Sequence, residues 1–94
     1  MNQSKERVII TVLGENRPGV LAEVTKEVAA ANGNIEDVTQ RILQGLFALM
    51  MVVDFSTANC QFNEFQARLT KIGEEKKVKV IVQHENVFTF MHRL

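Results

Sequence analysis

The chain has 94 residues, enough for one hydrophobic core and not for two. It is 46% apolar and 23% charged, the balance of a globular domain, and its eleven basic and eleven acidic residues cancel. No net field therefore steers it toward nucleic acid or an acidic lipid surface, and no apolar run approaches the ~18 residues of a membrane span. The single cysteine, Cys60, excludes an intramolecular disulfide and suits the cytoplasm. The polar opening MNQSKER does not read as a secretory signal. With no linker or composition break, one domain is expected over 1–94.

Val8–Leu13 reads as a strand whose two faces are both mostly apolar, as in a strand with neighbours on each side. GENRPGVL, Gly14–Leu21, follows and opens a helix. Pro18 suits a first helical turn, Asn16 can act as N-cap, and Glu15 places negative charge at the positive end. Val20, Leu21, Val24, Val28 and Ala31 recur at helical spacing and form the expected buried stripe. Asn32-Gly33 stops the helix, with Gly33 expected in the left-handed position.

Asn34–Leu43 reads as a second strand, polar on one face and so placed at a sheet edge. Gln44-Gly45 is a tight hairpin turn. Leu46–Phe55 is the most apolar run of the chain and is expected at the sheet centre, followed by a loop over 56–61. Phe62, Phe65, Leu69 and Ile72 mark one face of a second helix, expected to fray from Gly73 onward. Val78, Val80 and Val82 alternate with Lys79, Ile81 and Gln83, the pattern of a last edge strand. The tail NVFTFMHRL, Asn86–Leu94, has helical spacing of Val87, Phe88, Met91 and Leu94.

The order β-α-β-β-α-β predicts an α+β, ferredoxin-like sandwich. Four antiparallel strands carry both helices on one face, with a short C-terminal helical extension beyond. The other sheet face needs a cover, either the tail or a second subunit.

Catalytic chemistry is poorly supplied. His84 and His92 have no cysteine or carboxylate at metal-ligand spacing, and no nucleophile elbow or phosphate loop is present. An acylphosphatase-like cradle at Arg17 is spoiled by Pro18, which lacks an N–H donor. An RNA-binding sheet of this topology needs exposed aromatics, yet the third strand offers only Phe47 and Phe55 and the first offers none. The expectation is no enzyme activity, no metal or cofactor, and no nucleic-acid or membrane partner.

The informative junction is Gly14-Glu15-Asn16-Arg17-Pro18-Gly19. A strand-ending glycine permits close approach, the N–H groups of a helix start favour an anion, and an asparagine both donates and accepts. That set suits an amino acid. It equally suits a capped strand-to-helix turn with no ligand, and the residues by themselves leave both readings open.

GENRPGVLAEVTKEVAAANGNIEDV resembles the ACT domain, the small-molecule-sensing module of amino-acid metabolism. The match rests on Arg17-Pro18-Gly19-Val20-Leu21 at the helix start, Asn34-Ile35 opening the second strand, and the order of elements over about 7–84. The tail over 86–94 and the short length are similar to small stand-alone ACT proteins of bacteria and archaea of unassigned function. The resemblance implies side-by-side or face-to-face pairing, with an amino-acid effector held between the first turn of one subunit and the second strand of its partner. It marks Asn16, Asn34 and Ile35 as ligand positions, with Gly19 and Val20 contributing backbone. At Gly14 the serine-sensing ACT domain of phosphoglycerate dehydrogenase carries a ligand-contacting histidine; a glycine instead makes room for a bulkier ligand.

A homodimer is expected on physical grounds also. The long edge Asn34–Leu43 exposes backbone donors and acceptors that a symmetry mate would satisfy. Asp37 and Arg41 would then pair across the two-fold, each pair contributing at most ~1 kcal/mol. The functional expectation is a cytoplasmic regulatory protein that binds a small effector at the dimer interface. The alternative is a protein–protein interaction and dimerisation module without a working ligand site.

Overall fold

The computed structural model describes residues 6–15 and 18–87. Strand β1 (Arg7–Glu15) leads to helix α1 (Val20–Ala30), the hairpin β2 (Asn34–Leu43) and β3 (Leu46–Asp54), helix α2 (Phe62–Lys76) and strand β4 (Lys79–His84). The strands form one antiparallel sheet in the order β2-β3-β1-β4, so the two most apolar strands are central and the polar β2 is an edge, as expected.

Alternation decides which residues become the core. Val8, Ile10 and Val12 of β1 and Phe47, Leu49, Met51 and Val53 of β3 face the helices and are buried against Val20, Val24 and Val28 of α1 and Phe65, Leu69 and Ile72 of α2. The Phe55 and Phe65 rings pack with centroids 4.9 Å apart. Burial of Phe47 and Phe55 leaves neither ring free for base stacking. The opposite sheet face carries Leu13, Met50 and Leu46, which are 45%, 38% and 61% exposed.

Several local expectations change. Helix α1 begins at Val20, one residue after a left-handed Gly19 (φ 86°), and Pro18 lies in the preceding turn. Leu21 is exposed and leaves the buried stripe, since Val20, Val24 and Val28 already span the face in contact. At the far end the left-handed residue is Asn32 (φ 59°), not Gly33. The Asn32 N–H donates to Ala29 O and the Gly33 N–H to Val28 O, the paired bonds of a Schellman ending. Gly33 is required for space instead: a Cβ there would meet Val53 Cγ1 at 2.8 Å.

Helix α2 does not fray at Gly73 but continues to Lys76 and ends on a left-handed Lys77. Gly73 is buried, and a Cβ on it would lie 2.8 Å from Val78 O and 2.9 Å from Val80 Cγ2. The glycine therefore lets the returning chain lie directly on the helix. The N-terminus of α2 is closed by a reciprocal Gln61/Glu64 capping box that sequence reading missed. Strand β3 stops at Asp54, whose carboxylate accepts the Ser56 N–H and turns the chain. Gln44 and Gly45 both have positive φ, the requirement of a two-residue type I′ hairpin. A helical turn opens at Glu85, while the rest of the expected C-terminal helix, Phe88–Leu94, lies outside the described residues.

One hydrogen bond fixes the phase of the whole sheet. The Phe55 N–H donates to Glu6 O at 2.6 Å, so even-numbered β1 residues bond to β3 and odd-numbered ones to β4. Carried through the register, Val38, Gln40 and Ile42 turn their backbone groups outward on the β2 edge. Val80, Val82 and His84 do so on the β4 edge.

Candidate ligand-binding site

Among the described residues, no side chain caps the start of α1. Gly19 occupies the N-cap and has no side chain to offer, and the first backbone bond of the helix runs from Glu23 N–H to Gly19 O. The N–H groups of Val20, Leu21 and Ala22 precede that bond and have no intrahelical acceptor. Their dipoles add to a partial positive charge of roughly half a unit at this end.

An open groove of about 510 Å³ lies against this end, within the roughly 300–1,000 Å³ range of small-molecule pockets. Gly19, Val20, Leu21, Ala22 and Thr25 form one wall, with Phe47 of β3 and Gln40 of β2 opposite. The Thr25 hydroxyl lies 3.0 Å from both Leu21 O and Ala22 O, so its proton is committed to the backbone and its oxygen remains an acceptor. Val38 and Ile42 extend the β2 wall as half-exposed apolar side chains, 43% and 52% accessible.

Lys76, at the last turn of α2, was missed in the sequence. Its Nζ lies 3.5 Å from where a Cβ on Gly19 would stand, which brings an ammonium group beside the uncapped end of α1. Two positive features side by side repel each other and favour an anion between them. The signal was faint because Lys76 sits in a charged run, Glu74–Lys77, that reads as a solvated helix end.

The sequence-marked positions fall into separate places. Gly19 and Val20 line the groove. Gly14, next to last in β1, lies opposite Phe47, and the space its missing side chain leaves is taken by Val78, whose Cγ1 would lie 2.9 Å from a Cβ there. The glycine thus serves packing, and the room expected for a bulkier ligand is already filled. Asn34 and Ile35 open β2 beside Asp54 and Val53, whereas the groove adjoins the later part of that strand. Six residues separate Asn34 from Gln40, roughly 20 Å along the strand. Asn16 and Arg17 lie outside the described residues.

A β-bulge between Ile35 and Asp37 marks the start of β2. The extra residue, Glu36, accepts a hydrogen bond from Arg7 Nε at 2.7 Å, and Arg7 Nη1 lies 3.6 Å from Glu85. The bond to Glu36, and then its charge, hold the Arg7 guanidinium above its ordinary pKa. A raised value means that Arg7 stays charged until far above neutrality. His84 stacks on Phe62 at 4.1 Å and lies 3.9 Å from Glu6. Among the described residues no three His, Cys, Asp or Glu side chains gather as a metal site, and no helix is long and apolar enough to cross a membrane. Cys60 is half-buried against the core.

The β-α-β-β-α-β order, the sheet order β2-β3-β1-β4 and the groove at the start of α1 define a ferredoxin-like domain with both helices on one sheet face. The ACT domain family model matches residues 6–83, and the chain belongs to that family. A UPF0237 protein of Methanococcus maripaludis is 47% identical, covering 95% of this chain and 99% of that one. One from Listeria innocua is 41% identical over 94% and 99%. Among solved structures, an ACT domain protein from Streptococcus pneumoniae superposes with a TM-score of 0.76 at 29% identity, covering 90% of this chain and 96% of that one.

Proposed function

We propose that this chain is a non-enzymatic regulatory protein that binds an amino acid in a groove completed by a second copy of itself. The observation that carries the reading is a division within one chain. The helix start lies at one end of β2, and Asn34 and Ile35 lie roughly 20 Å away at the other. A two-fold axis beside Thr39 closes that gap. Antiparallel pairing of β2 with its mate about this axis sets Val38 against the partner's Gln40 and brings the opening of one β2 to the groove of the other subunit. Outward backbone groups on Val38 and Gln40 are in phase for that register. Asp37 and Arg41, exposed on the sheet face away from the helices, then stand opposite one another.

In the assembled groove the carboxylate of the ligand meets the N–H groups of Val20–Ala22 and the Lys76 ammonium. Its ammonium meets the side-chain oxygens of Asn34, Gln40 and Thr25. Gly14, Asn16 and Ile35 complete the set, Gly14 by holding the turn against Val78. Ligand that binds only the paired form shifts the population toward it, which is the regulatory step. A lone half-buried thiol suits a cytoplasmic setting.

A thermal-shift screen against the common amino acids tests this, with Asn34→Ala and Lys76→Met alongside. At least one amino acid raises the melting temperature, and both substitutions remove the shift while leaving the unliganded melting temperature nearly unchanged. Stabilisation by no amino acid, with a stable dimer, sinks the sensor reading and leaves the interaction module.

A further inference from the structure

The outward row of the β4 edge carries a side-chain hydrogen bond. Gln66, on the side of α2 that overhangs β4, donates its Nε2–H to Val82 O at 3.0 Å. Val82 is the middle residue of the outward row Val80, Val82, His84, so this carbonyl is the one an added strand would need first. Asn63, Gln66, Thr70, Lys71 and Glu74 stand along a groove of about 660 Å³ between the helix and the strand. At the end of the row the His84 ring stacks on Phe62 and the chain coils into a helical turn at Glu85. Only Val80 and Val82 remain for pairing, and the acceptor of one is occupied.

We propose that Gln66 is the residue that keeps β4 out of strand pairing, so that the sheet extends from the β2 end alone. A chain with two sticky edges on one sheet adds copies without end, because each added copy presents a fresh edge. Gln66 takes one of the two lone pairs of Val82 O and sets its side chain against the outward row, which blunts the second edge at the cost of one side-chain rotamer. An incoming strand must share or break this part-buried bond and displace the Gln66 side chain, which opposes the gain from its own ladder.

The test is molar mass by light scattering over a wide concentration range for wild type, Gln66→Ala, Gln66→Leu and Gln66→Ala/Val80→Pro. Val80 points its N–H outward, so proline there removes no ladder bond within the subunit. Wild type keeps one mass throughout. Both single variants, folded by circular dichroism, grow with concentration to at least roughly twice the wild-type mass, and the double variant returns to it. The outcome does not depend on pairing at β2. If wild type is a monomer, the Gln66 variants stop at a dimer; if it is a dimer, they continue to longer arrays. A Gln66→Ala or Gln66→Leu protein that holds the wild-type mass overturns the proposal, as does growth that Val80→Pro leaves untouched.

Discussion

The two edges of this sheet are opposites. Strand β2 has ten residues and β4 has six. The outer row of β2 runs Val38, Gln40, Ile42, all exposed, with two half-exposed apolar side chains on the helix side. The outer row of β4 lies beneath α2, with Val82 buried, Val80 half-buried and one carbonyl taken by Gln66. Pairing capacity follows from what the helices leave uncovered. The groove at the start of α1 sits beside the open edge, where under the proposed pairing a second copy supplies the missing wall.

The sharpest way to break the contrast is to charge the open edge. Val38→Lys/Gln40→Lys sets lysines directly opposite one another across the proposed two-fold, and both sites are exposed in the single chain. Association weakens by at least about a hundredfold, close to 3 kcal/mol, and light scattering reports the 10.6 kDa monomer. Amino-acid stabilisation disappears with it. A variant that keeps the dimer moves the interface elsewhere.

The covered edge is tested through its helix. Gly73→Val drives two methyl groups toward Val78 O and Val80 and loosens α2 from β4. The expected loss is ~2 kcal/mol in denaturant unfolding, with amide exchange rising first in β4. Unchanged stability would mean that the close approach at Gly73 carries no packing constraint. Gly19→Ala, at φ 86° before α1, is milder. It costs roughly 1–2 kcal/mol from the left-handed backbone and weakens ligand binding by displacing Lys76.

Much of this contrast was written in the sequence, and the parts that were not share a cause. Alternation marks β1, β2 and β4 and sheer apolarity marks β3, and the bounds of β2 are legible to the residue because Asn34 follows a helix stop and Leu43 precedes a two-residue turn. Helix ends were harder. Gly33 and Gly73 both read as breaks, yet each is a glycine for space, set by Val53, Val78 and Val80 from other elements. A residue whose reason lies on another strand leaves no local pattern. Gln66 and Lys76 are the same case: neither stands out in the sequence, and only the fold carries one to Val82 O and the other to Gly19. The turn motif named Gly19 and Val20, which line the groove, and Asn34 and Ile35, which open β2 roughly 20 Å from Gln40; that separation belongs to the fold and leaves no local pattern.

The smallest effect sharpens the register. With the axis beside Thr39, Asp37 faces the partner's Arg41 twice, as close side-chain pairs on the exposed sheet face. Each pair is worth at most ~1 kcal/mol in water. Asp37→Lys alone alters both pairs and therefore weakens association by roughly thirtyfold or less, and Arg41→Asp alone does the same. The double exchange restores it, because the pair is rebuilt with its charges reversed. Recovery fades as salt is raised, as an exposed pair requires. An axis one residue along, at Gln40, would set Asp37 against residue 43 and leave Arg41 opposite Thr39. The double exchange would then rescue nothing, so a single charge swap separates two registers that the backbone phase alone allows.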